Sequence, residues 1–451
     1  MIVMKFGGTS VADSSGISRV IEIVRSRLDN KPVVVVSALS QVTNILTSIC
    51  ELSSSGDLTE CNNLIEKLRE RHLSICSELF GEDKERYLMA ENEIDELLIS
   101  LNKVLNATSF LREVSEKRQA WIISLGEQLS NILVHHAINH NGIKCNKIDA
   151  RKFIITDDNH LNGKADLKLI AEKAPAEILK AFENYDTVLT QGFISSTKNG
   201  ESSLLGREGS DLTATLIGNV IDAEYIEIWT DVDGIRSADP RIIENTKSIS
   251  EMSFEVAEEL SFFGAKVLHP LTIAPAKLKN IPVKVLNSKN TSLSGTIIIQ
   301  KESISNKGIK SITSKENIVF IRIKSKNTIT ANDFLENIFR NLNKFQIITD
   351  IISISQTNIG FTLENKVKYE NFCKNISGFS DIVIDDTKSQ ITIAGEDLKH
   401  IPGIIKSIFE NLEHINFDLI SGGSSDNNIS FLVDSEKLNS VLKTLHTKLF
   451  L

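Results

Sequence analysis

The sequence predicts a doubly wound α/β domain followed by two copies of a small α+β module. Three observations carry this. A strand–helix–strand pattern occupies residues 2–36, further β-branched strands alternate with helices to about residue 300, and a short pattern then occurs twice. At 451 residues, with 41% hydrophobic and 24% charged side chains, the chain is long enough for at least two cores.

Residues 2–6 (IVMKF) read as a strand that ends in Gly7-Gly8-Thr9-Ser10. A helix follows, with Ser14 or Ser15 expected as its N-cap and Ile17, Val20, Ile21, Val24 and Leu28 on one face. Pro32 opens the run VVVV at 33–36, a pattern typical of a strand buried on both faces. This order implies a parallel unit with a right-handed crossover. Residues 57–141 are helical with little interruption, as stripes such as Leu58, Cys61, Ile65 and Leu68 indicate. Strand signals resume at 187–194, 224–230, 281–286 and 295–299.

The polar stretch near 300 marks a boundary. Residues 317–386 read strand, helix, strand, strand, helix, strand, and 389–449 nearly repeat the order. Ile338-Phe339-x-Asn341-Leu342 recurs as Ile408-Phe409-x-Asn411-Leu412, and the strands carrying Asp350 to Ser353 and Asp418 to Ser421 correspond. A repeat of about 70 residues is too long for a solenoid unit.

The net charge of −9 and pI near 5.6 argue against a nucleic-acid partner. Five scattered cysteines form no metal-ligand pattern and fit a reducing compartment. The strand-like N-terminus and the absence of an apolar run of ~20 residues predict a cytoplasmic protein with no membrane segment.

Four segments can carry chemistry. Lys5-Phe6-Gly7-Gly8 joins a strand end to a helix start, where free N–H groups favour phosphate and Lys5 adds a cation. Gly206-Arg207-Glu208-Gly209-Ser210-Asp211 repeats that logic. Arg207 offers a fork for a carboxylate; the alternative is that Ser210 and Asp211 serve only as helix caps. Thr230-Asp231 leaves a strand end and leads to Asp239 and Arg241, which suits a nucleotide, or else forms an Asp-rich turn. Gly264-Ala265-Lys266 supplies a second lysine, followed by His269, which reads as a packed or capping residue rather than a base. Neither a Walker A loop nor a protein-kinase catalytic loop is present. Together the segments suit transfer between anionic groups, with Lys5 and Lys266 spreading positive charge over the moving phosphoryl group and Mg²⁺ bridging the phosphates.

KFGGTSV at 5–11, SLGE at 124–127, TQGFI at 190–194, GREGSD at 206–211, WTDVDGI at 229–235, ADPR at 238–241 and FGAKVLHP at 263–270 resemble aspartate kinase. The C-terminal pair resembles its tandem ACT domains, and the ending TLHTKLF is most similar to the monofunctional, lysine-sensitive branch. The resemblance implies an amino-acid-kinase fold over 1–300 and ferredoxin-like ACT domains at 316–388 and 389–451, the latter with a strand from 306–315. It implies conversion of ATP and L-aspartate to ADP and 4-phospho-L-aspartate, feedback inhibition by L-lysine, and a homodimer, with tetramer formation left open. Lys5, Asp211 and Lys266 would be catalytic. Gly7, Gly8, Thr230, Asp231, Arg236, Arg241 and Val267 would join Lys5 and Lys266 around ATP. Thr43, Glu127, Arg207 and Ser210 would hold aspartate, with Glu127 on the ammonium. Phe334, Asp350 and Ser355 would form the effector site.

Several positions depart from the family pattern. Glu208 and Gln41 replace glycines, Arg236 replaces a tyrosine, and Asp333 replaces a glycine before Phe334, whereas Gly403 is kept in the second module; Thr328 and Gln356 also differ. The alternatives are a kinase for glutamate or N-acetylglutamate, or an amino-acid sensor with an inactive kinase domain.

Overall fold

In the computed structural model, residues 1–264, 269–305, 307–326, 330–364 and 367–451 are described. The chain divides into two units, Met1–Ile235 with Leu268–Gln300, and Arg236–Val267 with Lys301–Leu451. The segment 236–264, which the sequence reading placed with the catalytic region, groups with the C-terminal unit.

The first unit runs β1 (Ile2–Phe6), α1 (Ser14–Arg25), β2 (Pro32–Val36), α2 (Val42–Ser55), α3 (Leu58–Phe80), α4 (Lys84–Leu111), α5 (Glu116–His140) and β3 (Cys145–Lys147). It continues with β4 (Ile155–Thr156), α6 (Leu167–Ala181), β5 (Thr187–Gln191), β6 (Ile194–Thr197), β7 (Ser202–Leu204), α7 (Gly209–Val220) and β8 (Ile226–Thr230). After β9 (Glu251–Ser253) and α8 (Phe254–Phe262) of the second unit, the chain returns through α9 (Pro270–Leu278), β10 (Val283–Asn287) and β11 (Thr296–Ile299).

The main strands of the first unit lie in the order β3-β5-β2-β1-β8-β10-β11. All neighbours are parallel except β10 and β11, as expected of a mainly parallel doubly wound sheet. β1 is central and every residue of β1 and β2 is buried, which the apolar run VVVV requires. Two local readings are corrected. The N-cap of α1 is Asp13, whose carboxylate accepts the Gly16 N–H at 2.7 Å, while Ser14 bonds Glu78 instead. The single strand expected at 187–194 breaks after Gln191, because Phe193 takes a positive φ of 65° and redirects the chain into a separate sheet of β4, β6 and β7.

The second unit adds β12 (Gly308–Ser325), α10 (Ala331–Lys344), β13 (Ile352–Ile354), β14 (Asn358–Glu364), α11 (Glu370–Ile376) and β15 (Ser380–Glu396). It ends with α12 (Ile404–Phe409), β16 (Ile420–Gly422), β17 (Asn428–Asp434) and α13 (Leu438–Phe450). Its six-stranded sheet, β13-β14-β12-β15-β17-β16, is symmetric about the central β12–β15 pair, as the sequence repeat requires. Each half has its own core, one around Phe334, Phe361 and Phe372 and the other around Ile408, Phe431 and Leu442. Gly308–Lys315 of β12 pairs with the stretch of β15 beside the second core. The departure at Asp333 has a local reason: Thr330 caps α10 by accepting the Asp333 N–H at 3.2 Å and donates to the Asp333 carboxylate at 2.7 Å. Among the described residues, no helix is long and apolar enough to cross a membrane.

Candidate active site

The carboxyl ends of β1, β2 and β5 and the start of α7 converge on one cavity of about 340 Å³. β1 delivers Lys5, which is 8% exposed, and its Nζ lies 2.5 Å from Asp211 Oδ1 in the first turn of α7. The pair is inside the unit yet opens on the cavity, so the ammonium is held in place without a flexible search.

The turn after β1 is tightly constrained. The Gly7 N–H donates to the Trp229 carbonyl at 3.1 Å and the Ser40 N–H to the Gly8 carbonyl at 3.1 Å. A Cβ on Gly8 would come within 2.6 Å of the Ala38 carbonyl oxygen, a backbone atom that cannot step aside. Gly8→Ala is therefore expected to push the two loops apart and lower kcat/KM by about 100-fold, measured by steady-state kinetics. Arg71 on α3, which sequence reasoning missed, fixes the same loops by donating to the Ser40 carbonyl at 2.7 Å and the Ala12 carbonyl at 3.2 Å.

Across the cavity, α5 presents Glu127. Gly126 permits the approach, since a Cβ there would touch Ala38 Cβ at 3.0 Å and crowd Val42 and Leu46. Glu127 is 3% exposed; one carboxylate oxygen accepts the Ala38 N–H at 3.2 Å and the other is buried with no hydrogen-bond partner. Burial pushes its carboxyl up to about 8. An orphaned buried acceptor is costly unless a ligand supplies the donor, and a cationic group would both satisfy it and stabilise its anion.

Three lining residues, Gln41, Phe193 and Glu208, hold positive φ of 72°, 65° and 53° without being glycine. Only ten described non-glycine residues do so, which marks this cavity as a place where strain is concentrated. The strain at Gln41 is accompanied by a hydrogen bond from Asn44 Nδ2 at 2.9 Å.

Of the residues proposed from sequence, Lys5, Gly8, Thr43, Glu127, Ser210 and Asp211 line the cavity, and Gly7 lies beside it in the same turn. Arg207 is not among the lining residues; its side chain is 73% exposed, with Nε 4.0 Å from Glu208. Thr230 and Asp231 follow Trp229 at the end of β8, next to the Gly7 turn. Arg236 and Arg241 belong to the second unit, where Arg236 bonds Thr246 and Ser248, and Arg241 makes a two-toothed pair with Asp239. Lys266 and Val267 lie outside the described residues, as does Thr328. His269 caps α9, its Nδ1 accepting the Leu271 N–H at 3.3 Å, which matches the non-catalytic reading. In the second unit Phe334 is a core residue, Asp350 pairs with Lys315 at 2.9 Å, and Ser355 sits in the exposed turn before β14. Sequence reasoning missed Ser37, Ala38 and Ser40, which line the cavity in the loop after β2.

A parallel sheet carrying a strand-end lysine, a glycine turn, a buried carboxylate and an acidic helix start defines a small-molecule kinase of the amino-acid-kinase class. The model for the amino acid kinase family matches residues 1–287, and an ACT domain model matches residues 391–449. The chain is 31% identical to the lysine-sensitive aspartokinase 3 of Escherichia coli (strain K12), covering 100% of this chain and 99% of that one. It is 28% identical to an aspartokinase of Chlamydia trachomatis, covering 100% and 98%. The solved structure of E. coli aspartokinase III in complex with aspartate and ADP superimposes with a TM-score of 0.85 at 30% identity over the whole of both chains. The form in complex with lysine and aspartate gives 0.82 at 29%, again over the whole of both chains. The chain belongs to the aspartokinase family.

Proposed function

We propose that this protein transfers the γ-phosphoryl group of ATP to the side-chain carboxylate of L-aspartate, giving ADP and 4-phospho-L-aspartate. The observation that carries the reading is the pairing, in one cavity, of an anchored cation at Lys5 with an unsatisfied buried acceptor at Glu127. An amino acid with an ammonium at one end and a carboxylate at the other fits that pair. The E. coli relative solved with aspartate and ADP supports it.

The acceptor carboxylate is already an anion at neutral pH, so no general base is required. What the protein must supply is alignment and positive charge. Asp211 holds Lys5 Nζ toward the transferring group, the Gly7–Gly8 turn admits the phosphates, and Glu127 takes the substrate ammonium. Thr43 and Ser210 contact the amino acid. Arg207, exposed on the loop that supplies Gly206 and Glu208 to the wall, closes on a substrate carboxylate. Thr230 and Asp231 lie toward the nucleotide; Arg236, Arg241, Lys266 and Val267 are proposed as nucleotide contacts on their family motifs alone. Among the described lining residues Lys5 is the one cationic side chain, so two converging anions call for further positive charge, which Mg²⁺ carried on the ATP phosphates would bring. Such an ion supplies charge neutralisation that the lining lacks. The reading is tested by aspartate-dependent ADP release, with glutamate and N-acetylglutamate as competitors. Turnover with either and none with aspartate would replace it.

L-Lysine is proposed as the inhibitor, acting on the first C-terminal module. Asp350 keeps a buried oxygen with no hydrogen-bond partner beside its contact to Lys315, a place for an added ammonium. Phe334 and Ser355 contribute main-chain groups and a hydroxyl. Asp350→Asn is expected to raise the lysine concentration for half-inhibition about tenfold, equivalent to ~1.4 kcal/mol, while uninhibited turnover is kept. The subunit is proposed to form a homodimer through its six-stranded sheet, whose short edge strands expose Ile354 and Ile420.

A further inference from the structure

Glu208 occupies a backbone conformation that suits glycine, with φ 53° and ψ 30°, at the N-cap of α7. Something must compensate for a side chain there. Its carboxylate accepts the main-chain N–H of His269, the N-cap residue of the nine-residue helix α9. The anion therefore lies at the positive end of a helix, which neutralises part of its charge beside a cavity meant for anions.

This contact belongs to a set. α7 and α9 pack together, and two buried side chains of α7 join them further along: Asn219 Nδ2 donates to the Pro275 carbonyl at 2.7 Å, and Thr215 donates to the Thr272 carbonyl. Glu208 adds a tie at the cavity end of the same pair, three residues before Asp211. Asp211 in turn sets Lys5 Nζ at 2.5 Å.

We infer that Glu208 is a positioning residue that joins the cavity ends of α7 and α9 and so fixes the Asp211–Lys5 pair for phosphoryl transfer. The inference rests on the proposed kinase reading for its kinetic consequence but not for its structural one. Glycine at 208 relieves the backbone and loses the tie. Glutamine keeps an acceptor oxygen and loses only the charge.

The test compares the full-length chain with Glu208→Gly and Glu208→Gln. Glu208→Gly should lower kcat about tenfold with KM for aspartate within about twofold, because the contact acts on the reacting geometry rather than on substrate binding. Glu208→Gln should stay within about threefold of the parent kcat. Amide hydrogen exchange at 269–273 should quicken in the glycine variant and not in the glutamine variant, a readout independent of any substrate. Thermal melting reports whether each variant is folded. Parent-like exchange and kcat in Glu208→Gly would overturn the inference, as would equal impairment of both variants. If quickened exchange accompanies a parent protein with no aspartate-dependent turnover, the tie stands and the kinase reading falls.

Discussion

Lys5→Met is expected to lower kcat by about 100- to 1,000-fold while KM for aspartate and ATP shifts by no more than a few-fold. Methionine keeps the length and apolar stem of lysine, so β1 should remain seated between β2 and β8, where Lys5 pairs in register with Val35 and Ile228. What disappears is the cation. The transferring phosphoryl group carries its charge on equatorial oxygens, and a fixed ammonium inside a cavity stabilises that charge more than it does the ground state. Removing it also leaves Asp211 without its ion partner at a buried helix start, which sets a negative charge against the incoming anions. A steady-state comparison decides the matter. A loss confined to KM would mean that Lys5 only binds substrate.

Glu127→Gln is expected to have the second largest effect, weakening aspartate binding by about 100-fold, or ~2.7 kcal/mol, because a charge-assisted contact to the substrate ammonium is lost. The pH behaviour gives an independent signature. Burial raises the folded-state value of this carboxyl from 4.5 to about 8. Between those values the folded state keeps a proton that the unfolded state has lost, so Glu127 makes stability fall as pH rises across that window. The glutamine variant should lose this slope and melt higher than the parent at pH 8, even as it binds aspartate poorly. In the parent, an arriving ammonium favours the carboxylate, so aspartate binding at pH 7 should release a proton. Calorimetry in buffers of different ionisation enthalpy should detect that release in the parent and not in the variant.

The fold was legible where the physics is local. An uninterrupted β-branched block is typical of a strand covered on both faces, and the structure has it as β2, paired in parallel with β1. The twofold recurrence of Ile-Phe-x-Asn-Leu appears in the structure as the symmetry of the six-stranded sheet about β12 and β15. Legibility ended where partners are distant in sequence. Nothing near residue 236 signals that 236–264 joins the C-terminal unit, since the grouping depends on contacts such as the Ser253 N–H with Glu396. The motif GREGSD names Arg207 for the cavity, but a side chain's direction is settled only by the folded backbone, and Arg207 is exposed and not among the lining residues. Gln41 and Phe193 were hidden for a related reason: a non-glycine residue gives no sign of positive φ. Glu127 could be named from its motif, while its unsatisfied oxygen and raised titration arise only from burial.

The central claim is that a carboxylate receives the phosphoryl group. Its most direct test is incubation of the full-length protein with Mg-ATP, L-aspartate and hydroxylamine, which converts an acyl phosphate to a stable hydroxamate. The account predicts ADP and aspartyl hydroxamate in equal amounts, with both rates falling in parallel by about 100- to 1,000-fold in Lys5→Met. Aspartate-dependent ADP without hydroxamate, or neither product from folded protein, would contradict it.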